Sequence, residues 1–199
     1  NGMRIYGACT DRMDPSTSYV VANNLESVDL SSSCESKCES NGLAGSLNLK
    51  TKNSQLSAND TIRFGLAQSF TSNTKGIQSS FFVESRAKAF SWRLNGTWLK
   101  NGNYYDGNNE EVLFSQNEKQ NWAFNALYRL SVKSFMRLDF IYDLATDIGY
   151  PSLPMDVSKA RGIIGGLTYV NHQNFGAFQG FEAKVYHNDI YHEMDDTQR

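Results

Sequence analysis

The stretch "NWAFNALYRL", residues 121–130, decides the fold. Trp122, Phe124, Ala126, Tyr128 and Leu130 fall at every second position, with Ala123, Asn125, Leu127 and Arg129 between them. Side chains of an extended chain point alternately to opposite faces, so a sustained period of two predicts a strand with one apolar and one mixed face. A helix would need its apolar residues three and four apart.

The same design recurs on both sides. In "FMRLDFIYDL", residues 135–144, Met136, Leu138, Phe140, Tyr142 and Leu144 face one way and Arg137, Asp139 and Asp143 the other, with Ile141 interrupting the charges. "FSWRLNGTW", residues 90–98, sets Phe90, Trp92, Leu94 and Trp98 against Arg93, Asn95 and Thr97, and "TIRFGLAQSF", residues 61–70, sets Ile62, Phe64 and Leu66 against Arg63 and Ser69. Weaker alternation runs over 77–86, 161–171 and 178–189. The chain therefore reads as all-β, with about seven strands near the roughly 9–11 residues that a tilted strand needs to cross a bilayer. Soluble strands average about 5–6 residues.

The connections alternate too: short near Ala87, long over 101–120, short near Val132, long over 146–159, short over 172–177. Short turns at one end and long loops at the other describe an antiparallel transmembrane barrel of the outer-membrane kind. A soluble β-sandwich also alternates, and its aromatic loop "NYYDG" (103–107) would serve as a binding surface; such a chain stays in water without detergent. Trp98, Tyr104, Tyr105 and Trp122 near strand ends fit either an interfacial girdle or ordinary rim packing. About seven strands around a polar interior cannot close a wide lumen, and a membrane leaves no strand edge unpaired. More strands are expected after Arg199, and with no leader-like segment at "NGMRIYG" the expectation is a fragment.

Composition agrees. Among 199 residues, 19 basic against 21 acidic side chains provide no basic face for nucleic acid. Aromatics at 13%, with 15 Gly and only 3 Pro, suit strands joined by polar turns. No apolar run approaches a spanning helix, and the mean hydropathy of -0.50 carries little weight because alternating strands average out. Residues 1–52 differ from the rest, with short apolar patches ("MRIY", "SYVV", "SVDL", "SLNLKTK") in a compact mixed segment.

Chemistry concentrates at two places. "GACTDRMDP", residues 7–15, puts Cys9 and Met13 four apart; thiolate and thioether are soft donors suited to Cu(I), and one helical turn or a tight loop brings them together. A buried cysteine beside a packing methionine is the plainer reading of that pair. "IYHEMDD", residues 190–196, offers His192 and Met194 on one face of an extended segment, and the two pairs together make a four-ligand soft set. A metallohydrolase would need H-E-x-x-H, and the last position here is Asp196. Three cysteines cannot all pair internally. Cys34 and Cys38 are open to a local disulfide, a second metal-capture point or two unpaired thiols, and a single such pair makes no zinc ribbon. Asn59-Asp-Thr61 and Asn95-Gly-Thr97 match the glycosylation acceptor pattern, inert in a bacterial barrel. With no G-x-S-x-G, phosphate loop or dinucleotide fingerprint, nothing argues for an enzyme.

Four landmarks in order, "GMRIYGACTDRMDPSTSYV" (2–20), "AGSLNLKTK" (44–52), "GYPSLPMDV" (149–157) and "VYHNDIYHEMDD" (185–196), resemble TonB-dependent outer-membrane receptors, closest to the copper-receptor branch. The resemblance implies that 1–52 is the C-terminal part of a mixed α/β plug domain and that 53–199 is the N-terminal part of the barrel, which in such transporters has about 22 strands. It implies a Gram-negative outer-membrane protein, monomeric, that imports a copper ion as Cu(I) and works with the TonB-ExbB-ExbD complex amid outer-membrane lipid. Cys9 and Met13 on the plug and His192 and Met194 on an extracellular loop would be its metal ligands, binding more weakly at low pH because thiolate and neutral imidazole are required. The same receptor class also admits a ferric siderophore or other metal chelate as cargo, with Cys9 and the methionines merely packing. One departure is "SSSCESKCESNGLAG" (31–45), where relatives are usually Gly-rich without cysteines; a TonB box is expected to precede residue 1.

Overall fold

The computed structural model describes residues 1–9, 14–31, 45–174, 176 and 178–196. Two 3-10 turns, Ser16–Tyr19 and Ala22–Asn24, precede a hairpin of β1 (Leu25–Ser31) and β2 (Ser46–Thr51). Then come β3 (Thr61–Thr71), β4 (Gly76–Arg86), β5 (Phe90–Asn101), a small hairpin of β6 (Tyr104–Tyr105) and β7 (Glu111–Val112), and the long strands β8 (Asn117–Arg129), β9 (Ser134–Ile148), β10 (Asp156–Asn171) and β11 (Phe181–Asp195). The seven long strands form one antiparallel sheet in the order β11-β10-β9-β8-β5-β4-β3. It is a meander interrupted only by the small hairpin. Among the described residues the sheet does not close, and β3 and β11 are its edges.

Register settles the faces. Trp122 lies opposite Tyr142, Phe124 opposite Phe140, Ala126 opposite Leu138 and Tyr128 opposite Met136, so the apolar sets of β8 and β9 share one face. That face continues through Leu167 on β10 and through Ile62, Phe64 and Leu66 on β3, which are 76%, 77% and 83% exposed. Soluble proteins rarely leave so wide an apolar surface bare.

The other face is covered by described residues of the N-terminal segment, and the wall they lie on is polar for a reason. Irregular backbone has few partners of its own, so the wall must supply them. Asn121 Nδ2 donates to the Tyr19 carbonyl (3.1 Å) and to Asp143 (2.6 Å). Lys119 donates to the Ser18 carbonyl and pairs with Asp143 at 3.2 Å. Asn125 donates to the Lys52 carbonyl (2.8 Å) and accepts from the Ser54 amide (2.9 Å). Asp139 and Asp143 are thus buried against this segment, on the face opposite the apolar set. Ile141, which interrupts the charges, packs with Ala123, Ile164 and Tyr19, flanked by Met3, Ile5 and Val20.

Two expectations change. The N-terminal segment has no α-helix among its described residues; "PSTSYVVANN" begins with Pro and is rich in Ser, Thr, Asn and Val, which favour turns and extended backbone. β9, β10 and β11 run 15, 16 and 15 residues, longer than their alternation indicated, so the 146–159 connection shrinks to 149–155. Consequently His192 and Met194 stand within β11 and not on a loop, because β10 continues alongside and pairs Ala160 with His192 and Val157 with Met194.

Candidate metal site

The site is built where the start of the N-terminal segment meets the upper ends of β10 and β11. Cys9 is half-buried with a free thiol. Its backbone is held by Asp14: Oδ1 accepts from the Cys9 amide (2.9 Å), while Oδ2 accepts from the Ala8 amide (2.7 Å) and from the Tyr19 phenol (2.7 Å). Asp14 is only 4% exposed. Burial opposes its charge, but the bonds from Tyr19, Ala8 and Cys9, with the nearby His192, outweigh it and hold the carboxyl below its ordinary range. The Tyr19 phenol is pushed the other way, above its ordinary value, first by burial and then by its bond to Asp14.

His192 and Met194 come from β11. They lie two apart on the inner face, both half-buried, and Glu193 between them points out to accept a bond from Tyr191 (2.8 Å). A bulge in the β10–β11 pairing between Val157 and Lys159 re-aims the end of the ladder. Met194 then packs, with Ile148 and Tyr150, on Ala145, Val157 and Ala160. The Tyr150 phenol is raised by burial and next by the charges of Cys9 and Asp14.

These neighbourhoods place three of the four expected ligands at one end of the molecule. Cys9 is bonded to Asp14, Asp14 is within electrostatic reach of His192, and Tyr150, which packs in the cluster that holds Met194, is within reach of Cys9. Met13 lies outside the described residues, as do Cys34 and Cys38. Among the described residues no three His, Cys, Asp or Glu side chains converge as a hard-metal cage would require. A donor set of thiolate, imidazole and thioether suits Cu(I) instead. The strand geometry also sends His192 and Glu193 to opposite faces.

Sequence reasoning did not single out Asp14, Tyr19 or Tyr150. The signals were present: Asp14 follows Met13 directly, and Tyr150 stands in "GYPSLPMDV".

The described residues thus form a meander of long antiparallel strands, apolar on one face and polar on the face that a compact segment covers. Among solved structures 26 chains match this one. One of them, described as "Copper transporter OprC", aligns over 100% of this chain with a TM-score of 0.90 at 21% identity. The chain spans 30% of that protein's length. No protein-family model matches the sequence, and no curated protein matches it. The likeness shows a shared fold.

Proposed function

We propose that the chain is part of a TonB-dependent receptor of a Gram-negative outer membrane that captures and imports copper. Residues 1–52 act as plug and 53–199 as barrel wall, with its bare apolar face toward lipid. The ion, as Cu(I), binds between Cys9 and Met13 of the plug and His192 and Met194 of β11. One observation carries the reading: Asp14 is bonded to the Cys9 backbone and lies within electrostatic reach of His192, although 183 positions separate the two ligands in sequence (192 minus 9). A solved structure of the same fold bears the description of a copper transporter, in support.

Soft donors favour Cu(I) over Zn²⁺ and Fe²⁺. Release into the cell would follow when TonB, drawing on the inner-membrane proton gradient, disturbs the plug. The polar contacts of that segment with the wall are hydrogen bonds, each exchangeable for water. Elemental analysis of the full-length receptor in detergent tests the assignment. The parent should hold copper, and Cys9→Ala with Met13→Ala should hold none while the barrel stays folded. Unchanged stoichiometry would defeat it, and uptake stimulated by a ferric chelate but not by copper would favour a siderophore cargo.

A further inference from the structure

We propose that Asp14 is a positioning residue for metal capture: with Tyr19 it fixes the Cys9 backbone against β10, and so sets where the Cys9 thiolate stands relative to the His192 imidazole. The inference rests on the copper reading and adds a device that the ligand set itself does not contain.

An ionised carboxylate has about four acceptor sites, and Asp14 fills three of them with the Ala8 amide, the Cys9 amide and the Tyr19 phenol. Two successive amides on one carboxylate fix the peptide between Ala8 and Cys9, which removes the freedom of Cys9 to turn away. Gly7 lets the clamp close, since a Cβ there would meet the Asp14 carbonyl oxygen at 2.9 Å and its Oδ1 at 3.2 Å. The anchor at the other end is Tyr19, 1% exposed, whose ring lies on Gly162 of β10. Gly162 pairs with Ile190, two residues before His192 on the inner face of β11. An unbroken series of contacts thus runs from the Cys9 amide through Asp14 and Tyr19 to the strand pair that presents the imidazole.

Ligands drawn from distant parts of a chain bind well only when their separation is fixed beforehand, to within about 0.5 Å for a precise site. Neither Cys9, on irregular backbone, nor the spacing of the motif supplies that.

The test uses the full-length receptor in detergent, with Cu(I) affinity read by competition against bicinchoninate and the sulfur and nitrogen ligands read by X-ray absorption. Asp14→Asn keeps the size but replaces an acceptor by an NH₂ group, so one backbone bond must fail. It should weaken Cu(I) binding by about tenfold or more, as loss of an outer-shell partner does. The nitrogen contribution should diminish while the heat-resistant barrel band persists. Tyr19→Phe keeps the ring on Gly162 and should give a smaller loss in the same direction; the double variant should bind about as weakly as Asp14→Asn alone. Should Asp14→Asn fail to fold, Tyr19→Phe decides, and parental affinity there overturns the proposal. Asp14→Asn with parental affinity and ligands overturns it and leaves the copper reading standing. A parent that binds no Cu(I) removes both.

Discussion

Tyr19 donates its phenol hydrogen to Asp14 at 2.7 Å while its ring occupies the space over Gly162, where an added Cβ would come within 2.6 Å of the ring edge. One side chain therefore ties the segment that carries Cys9 to the wall that carries His192. The ring joins Ile141, Ile164 and Ala123 in the apolar core between segment and sheet, so burial of a large aromatic and satisfaction of its hydroxyl occur together.

Gly162→Ala should loosen that docking. The methyl group cannot be accommodated unless the ring moves, and overpacking of this kind costs about 1–3 kcal/mol. Trypsin should then cut faster after the exposed Lys52, while the barrel band in a gel is unchanged. Equal cleavage rates in variant and parent would show that the ring does not hold the segment.

Asp143→Ala should destabilise more than its size suggests. Asp143 pairs with Lys119 and accepts from Asn121, and both partners also bind backbone carbonyls of Ser18 and Tyr19. Removing one partner of a buried pair leaves the other uncompensated, at about 3–5 kcal/mol. Lys119→Met combined with Asp143→Leu should cost less than Asp143→Ala alone, because no charge is left stranded. Urea unfolding of the detergent-solubilised receptor distinguishes the two; a double variant that is the less stable would contradict the argument.

Alkaline pH should release the N-terminal segment through Tyr19. Burial and the bond to Asp14 raise its phenol above the ordinary value of about 10. A group whose folded value is raised contributes stability that is fully present below its unfolded value and is lost as pH rises toward the folded one. Cleavage after Lys52 should therefore be constant to about pH 10 and accelerate above it. Tyr19→Phe should abolish that acceleration. If the variant shows the same rise, other groups are responsible.

The fold was legible where side-chain period and environment coincide. β8 and β9 alternate cleanly because one face meets nothing polar and the other supports a polar segment, so "NWAFNALYRL" and "FMRLDFIYDL" declare both faces. The end of β11 was not legible as strand: past Asp189 the stretch "IYHEMD" carries His192 and Glu193 amid aromatics, and pairing with β10 makes it extended. The proposed ligands stand out in the sequence as chemistry, since soft donors are rare and their spacings simple. Their support does not, because Asp14 reads as one more surface carboxylate until Tyr19, five residues on, is seen to fold back to it. Ile141 looked like an exception for the same reason: its partner is Tyr19.

Phe140→Arg tests the membrane reading through the outer face. Phe140 is 40% exposed, between Phe124 on β8 and Gly165 on β10, in the middle of the apolar surface. In a soluble protein a charge at such an exposed position would be tolerated and would aid solubility. On a lipid-facing wall it would stand near the bilayer midplane, where an arginine costs about 2–4 kcal/mol. Refolding of the full-length receptor into lipid vesicles should then give a clearly smaller folded fraction, read as the heat-modifiable band, whereas Phe140→Leu should refold like the parent. If Phe140→Arg also refolds like the parent, that face does not meet hydrocarbon.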